Sequence, residues 1–504
     1  MRRLCWLALV AGAALGIRVF ASGGPVAAAS APAPASLRSD STELAKLPQG
    51  AAGMIEGLLS PDGSRWAAVV LGLRDAKKPP LSENMVATVL VDGQAGPSCN
   101  RVSDLSFSRD GKHVLYRAFT DVAGKPSTSA LILDGSPVGH YDAIESEPAF
   151  RADGTLAPFL ARTGQRYEVV VDGKVVQEYP DALKGLTLSP DGRRMMYIVS
   201  RVIRGEGGMP ALKSTVVLDG KEDAGHYDKI LYAMFSPDSK RTVWAVEDDE
   251  KFLVVVDGKI ESKDADKLTP VRFSADGARV GYGIGVRTSS RLWKCSILVD
   301  GQLTASLLLI GNLQFAPDGK AWWPGAFWEA SASGSDEVMF GVFCENRKMY
   351  TSDQFQVVNI DFTPDGKHVV YEALPKNPDK SKPDSRAYIL DGKPGPVYEK
   401  VSYPVLSSDS AHWAYGAAAG GGWFVVLDGQ PQAPFESVEK ISFSPDGAHL
   451  EYQAKSHGRP VWVLDGDPVA GYDQISRPQF LAGGKIECLG VKARVLYRVR
   501  LTAS

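Results

Sequence analysis

Histidines, cysteines and paired carboxylates are the side chains best able to run acid–base, nucleophilic or metal chemistry. Here they fall largely at repeating intervals. Four of the seven histidines, His113, His368, His412 and His449, stand three residues after an aspartate in a recurring turn. His140 and His226 share the context Gly-His-Tyr-Asp. A residue type that returns at one place in a repeat reads as scaffold before it reads as a ligand. The turn aspartates likewise have a structural task, and no D-x-D-x-D-G calcium loop occurs among them. There is no G-x-S-x-G elbow, no H-E-x-x-H pair and no G-x-x-x-x-G-K-[ST] loop. No catalytic residue, cofactor or metal ligand is therefore assigned from sequence.

The elements that carry these residues are copies of one unit. A Ser-x-Asp-Gly-like turn recurs with its aspartate at Asp62, Asp110, Asp153, Asp191, Asp238, Asp276, Asp318, Asp365, Asp409 and Asp446. A second turn, Val/Leu-Asp-Gly, falls between them at Asp92, Asp134, Asp172, Asp219, Asp257, Asp300, Asp391, Asp428 and Asp465. From each second turn to the next first turn the gap is 18 or 19 residues, whereas from first to second it varies from 19 to 30. A constant half and a variable half are the mark of a structural repeat.

Turn chemistry explains the punctuation. Proline presets φ at the second position of a type I turn, aspartate bonds to its own backbone, and glycine permits positive φ afterwards. The 51 glycines and 32 prolines of the 504-residue chain fall largely at these turns. Asp-Gly between β-branched runs, as in Val169-Val170-Val171-Asp172-Gly173-Lys174-Val175-Val176, is a strong hairpin signal. An aromatic six residues past the first-turn aspartate, such as Tyr116, Tyr197, Trp244 or Tyr452, sits in the alternation of a half-buried strand. Each unit thus holds four strands. The fold class expected is all-β, a β-propeller of about 10–11 four-stranded blades.

The pattern Phe443-Ser444-Pro445-Asp446-Gly447 resembles the TolB-type, WD40-like (PD40) β-propeller repeats of bacterial envelope proteins, over residues 53–473. The resemblance implies the fold and an envelope setting. The second half-unit departs from it, ending in V-D-G-K rather than D-x-D-G-G, and no separate amino-terminal TolB domain precedes the repeats. A partnership with peptidoglycan-associated proteins is therefore not carried over. Related propellers often precede a serine-peptidase domain, for which little room remains here.

Residues 1–21 read as a secretory signal, with Arg2 and Arg3 before the apolar run from Leu4 to Ile17 and small residues after it. Its removal takes away three arginines and changes the formal charge from −3 to −6. The protein is expected in the periplasm or outside the cell, without stable membrane insertion. A negative net charge argues against a nucleic-acid partner. Residues 22–41 read as a flexible leader, 42–320 as blades 1–6 and 321–504 as blades 7–11. Eleven blades exceed the usual ring of four to eight, so two tandem propellers are favoured over one large ring. The stretch from Ala321 to Met349 lacks the second Asp-Gly turn and is the candidate junction. Gly483-Gly484 stands where an eleventh first turn would fall, and residues about 42–52 are placed to supply that blade's missing outer strand. Cys99 and Cys488 lie in the first and last blades, where a disulfide would staple the closure; the alternative is that Cys99, Cys295, Cys344 and Cys488 are buried free thiols.

In a propeller, both Asp-Gly turns of a blade share one face, and all the length variation lies on the other. Binding usually resides on variable loops held by a rigid scaffold. The long loops are 71–85, 117–129, 201–214, 286–294, 324–348 and 374–386, and five of the six carry net positive charge. Arg201, Arg204, Arg287 and Arg291 are the candidate contacts to an anionic partner, an acidic protein or polysaccharide. The alternative is solvated loop charge. Trp322, Trp323 and Trp328 are candidates for stacking on a sugar or peptide, or else form the core of an atypical blade. The function expected is a non-catalytic scaffold binding an envelope or extracellular protein, peptide or glycan. The rival is a polysaccharide lyase or glycoside hydrolase, which would need two carboxylates converging on the loop face.

Overall fold

Each Ser-x-Asp-Gly segment closes on itself. In the computed structural model, which describes residues 37–502 except 76, 78–83, 123–126, 140, 205–208, 289–292, 331–335, 346, 378–380 and 382–383, the Ser444 hydroxyl donates to Asp446 and accepts the amide of His449. Asp446 in turn accepts the amide of Ala448. The same set recurs at Ser60, Ser108, Ser189, Ser236, Ser274 and Ser407. These bonds hold the carboxyls of Asp62 and Asp110 down at about 2, the serine hydroxyl contributing most. The second turns behave as Asp-Gly hairpins should. Asp257 and Gly258 both take positive φ, 50° and 76°.

The two turns of a blade are tied to each other and to the next blade. Asp257 accepts the Thr242 amide with one carboxylate oxygen and the Arg241 guanidinium with the other, at 2.8 and 2.9 Å. Arg241 then reaches across to donate to Ala278 O and lies 5.9 Å from the ring of Phe273, both in the following blade. Arg65, Arg194 and Arg279 repeat the clasp on Asp92, Asp219 and Asp300, stacking on Phe107, Phe235 and Phe315. His113, His368, His412 and His449 take the same place, each with Nδ1 2.7 Å from its aspartate. The recurring histidines are structural, as their spacing indicates.

These units build eleven antiparallel blades of four strands each, the first strand being broken into two segments in blades 6, 7, 9 and 11. Blades 1 to 10 span residues 51–95, 101–137, 143–179, 182–222, 229–265, 267–307, 309–352, 355–394, 400–431 and 437–468. Blade 11 spans residues 474–502 and takes its fourth strand from Arg38–Lys46, which pairs with Val495–Thr502. That strand begins at Arg38, inside the stretch expected as leader.

The core is divided into eleven seams, each between consecutive blades. Val243 and Val254 of blade 5 meet Val271, Val280 and Tyr282 of blade 6. Trp462 and Leu464 of blade 10 meet Ile486 and Cys488 of blade 11. Blade 11 meets blade 1 through Leu481, Leu489 and Leu496 against Met54, Trp66 and Ala68. Gln474 and Gln479 stitch this last seam by accepting the amides of Met54 and Leu59, and Arg494 donates to Ala51 O and Pro48 O. The blades therefore close as one ring, not as tandem rings.

The boundary expected at 320/321 cuts through blade 7, and apolar seams join that blade to both neighbours. Its missing Asp-Gly is supplied by Glu345, whose φ is 51°. The Glu345 amide donates to Ala321 O, and its carboxylate accepts the Ala321 amide and Arg279 of blade 6. Cys99 and Cys488 lie in different seams, between blades 1 and 2 and between 10 and 11, so the staple is not formed. All four cysteines of the ring are buried free thiols, and burial pushes the Cys488 thiol up to about 12.

Arg241→Ala removes an ion pair, a ring contact and an inter-blade hydrogen bond, and is expected to lower stability by about 1–2 kcal/mol. Arg241→His should cost less, because histidine makes the aspartate contact elsewhere in the ring. Chemical denaturation of both variants measures the difference; equal losses would contradict the clasp.

Candidate functional site

The loop cations acquire partners once the strands are folded. Arg201 lies within the strand Met195–Arg204 and is bound by both oxygens of Glu222, at 3.1 and 2.7 Å, and by Asp181 at 3.4 Å. Lys213 sits between Asp228 and Asp248. Arg117 pairs with Asp104 and Lys348 with Glu329. The positive charge of Arg117, Arg201 and Lys213, counted along the loops, is thus matched by acids on neighbouring strands and blade-joining segments. Arg204 and Arg287 are exposed at strand ends, with the Arg287 guanidinium 6.0 Å from the Trp293 ring. Arg291 lies outside the described residues.

The three tryptophans separate. Trp323 is 1% exposed and stacks on Phe343 inside a seam. Trp322 is half-buried, edge-on to Phe362 of blade 8 and beside the turns rather than the loops. Neither offers a ring to a ligand on the loop face. Trp328 is 58% exposed, near the end of the strand Ala321–Ala330.

A cleft of about 480 Å³ opens on the loop face between blades 8 and 9, and sequence reading singled out none of its residues. Glu372, Asn359 and Arg386 of blade 8 form its polar floor, with Tyr388 beside them. Lys400, Ser402, Tyr403 and Trp423 of blade 9 and Asp384 of the 374–386 loop complete it. Glu372 is buried and takes a hydrogen bond from Arg386 and another, at 2.5 Å, from the Asn359 amide. Asn359 in turn accepts a 2.7 Å bond from Asn312 of blade 7. Each floor group is held by a neighbour before any ligand arrives.

The rim follows from a break in one strand. The first strand of blade 9 runs Lys400–Val401 and resumes at Val405–Leu406. Pro404 between them has no amide to donate, so the ladder cannot run through. At the break the Ser402 hydroxyl accepts the Gly416 amide, and Ser402 O accepts the Tyr388 phenol at 2.7 Å. Tyr403 is left 71% exposed at the mouth of the cleft. Trp423, at the start of the third strand, is half-exposed on the other side.

Asp361 lies beneath this floor without lining the cleft. Burial raises its carboxyl from the ordinary 3.8 to about 6, the nearby Glu372 charge adds to the rise, and Arg272 of blade 6 opposes it.

No family model and no curated protein matches the chain. Solved structures with similar strand arrangements include a eukaryotic initiation factor, at 10% identity and TM-score 0.40 over 74% of this chain and 96% of that one. The Dos1 propeller matches at 10% identity and TM-score 0.33, over 64% and 92%. TolB from Acinetobacter baumannii matches at 15% identity and TM-score 0.23, over 63% and 79%.

The missed residue had a signal in the sequence. Seven residues past the first-turn aspartate, the ten copies carry Val69, Arg117, Leu160, Ile198, Ala245, Gly283, Gly325, Glu372, Gly416 and Gln453. Glu372 is the single acid in that column. Departure from the repeat, rather than any motif, marks the site.

The raised Asp361 carboxyl gives a pH test. Between pH 3.8 and about 6 the folded chain keeps a proton that the unfolded chain has lost, so stability falls as pH rises through that window. Asp361→Asn stays neutral and should gain thermal stability over the parent above pH 6 but not at pH 4. Melting curves at pH 4 and 7.5 decide it; an equal effect at both would show that Asp361 is ionised throughout.

Proposed function

We propose that the protein is a secreted, non-catalytic β-propeller that binds a protein, peptide or glycan through its loop face, with the cleft between blades 8 and 9 as the binding site. The observation that carries this reading is the polar floor of Glu372, Arg386 and Asn359, already fixed by mutual hydrogen bonds, beneath the exposed ring of Tyr403. Binding sites are concave, largely pre-formed, and combine aromatic walls with a few placed polar groups. Residues 1–21 support secretion as a signal segment, which would place the ring in the periplasm or outside the cell.

Binding fits the floor better than catalysis does. A glycosidase or lyase needs one carboxyl poised to give or take a proton at the substrate. Glu372 lines the cleft, but its two oxygens are already engaged by Arg386 and Asn359. Asp361 has the raised carboxyl yet does not reach the cleft surface.

The test is an array of envelope glycans and peptides probed with the secreted protein. Tyr403→Ala is expected to weaken the captured ligand about fivefold or more, while a double Arg204→Ala and Arg287→Ala variant leaves capture unchanged. The reverse pattern would move the site to the arginine-bearing loops.

A further inference from the structure

We propose that the ligand of the blade 8–9 cleft is an uncharged saccharide, its ring face against Tyr403 and its hydroxyls on Glu372, Arg386 and Asn359; this rests on the reading of that cleft as the binding site.

Three observations point to this class. The first is charge. The lining carries two acids, Glu372 and Asp384, and two bases, Arg386 and Lys400, and Arg386 is already paired with Glu372. Such a surface gives no net attraction to a uronate chain or any other polyanion, and an anion entering would also meet the Glu372 carboxylate.

The second observation concerns the backbone. An extended peptide gains most of its affinity by adding to an open strand edge. At Arg386, Trp423 and Ser402, beside this cleft, those groups are already paired. Arg386 exchanges both backbone bonds with Tyr398, and Trp423 does the same with Phe435. The Ser402 amide donates to Gly416 O, and its carbonyl accepts the Tyr388 phenol. A peptide laid against these three residues would find side chains only.

The third is the fit of the side chains themselves. A guanidinium with several donors, a carboxylate with several lone pairs and an amide with both stand together on the floor. Neighbouring sugar hydroxyls, each donor and acceptor, match such a set. The C–H face of a pyranose is apolar and slightly positive, so it suits the negative face of an exposed aromatic ring. Tyr403 offers that ring at the mouth of the cleft.

Titration calorimetry of the secreted protein tests the class directly. The probes are neutral gluco-, galacto- and manno-oligosaccharides, oligogalacturonates of matched length, and a library of heptapeptides. At least one neutral oligosaccharide is expected to bind, with affinity changed less than about threefold between 50 and 500 mM salt and lowered about fivefold or more by Tyr403→Ala. Because Tyr403 is exposed, that variant should keep the parent melting temperature, which separates lost binding from lost folding. Oligogalacturonate or peptide binding that depends on Tyr403, without neutral-sugar binding, would overturn the uncharged-saccharide class and leave the cleft as the site. Neutral-sugar binding indifferent to Tyr403, or no binding by any probe, would overturn both.

Discussion

The ring depends on one contact made again and again: a left-handed aspartate that accepts its own blade's amide with one oxygen and a cationic or imidazole side chain with the other. Asp257, Thr242 and Arg241 show it fully. The aspartate closes the outer hairpin, the arginine ties that hairpin to the inner turn, and the remaining guanidinium nitrogen reaches the next blade. Each such pair is partly exposed and worth little alone. Placed at successive seams, over apolar clusters that also join only neighbours, the contacts make a structure in which every blade is held by the two beside it. Regularity on the turn face is the consequence, and the opposite face is left free to vary.

Much of this was legible in the sequence because turns are local. Serine, aspartate and glycine within a run of four residues specify their own geometry, so the repeat, its four strands and the scaffold role of His113, His368, His412 and His449 could be read directly. Ring closure was legible only in part. An outer strand for the last blade was expected from residues about 42–52 and comes from Arg38–Lys46, whereas one ring rather than two depends on which side chains meet across distant segments. Met54 and Leu481 say nothing of each other in sequence, yet they share the closing seam. Blade 7 misled for a related reason. Glu345 does the work of aspartate with one more methylene, and a search for Asp-Gly passes over it.

The loop face shows the limit of counting charge along a chain. Arg201 and Lys213 add to a positive loop in sequence, but their partners Glu222, Asp181, Asp228 and Asp248 come from flanking strands and the segments that join blades. Trp322 and Trp323 look alike in sequence and are adjacent, yet strand alternation sends them to opposite seams, one shared with blade 8 and one with blade 6. The cleft appears where the repeat is broken instead: an acid, Glu372, in a column that otherwise holds none. A scaffold built from near-identical units makes its departures informative.

The central claim is that eleven blades form one closed ring, with blade 11 seated on blade 1. Small-angle X-ray scattering of the purified protein tests it most directly. A single ring predicts the distance distribution of one disc with a central channel. A distribution with two maxima, as from two smaller rings joined end to end, would contradict it.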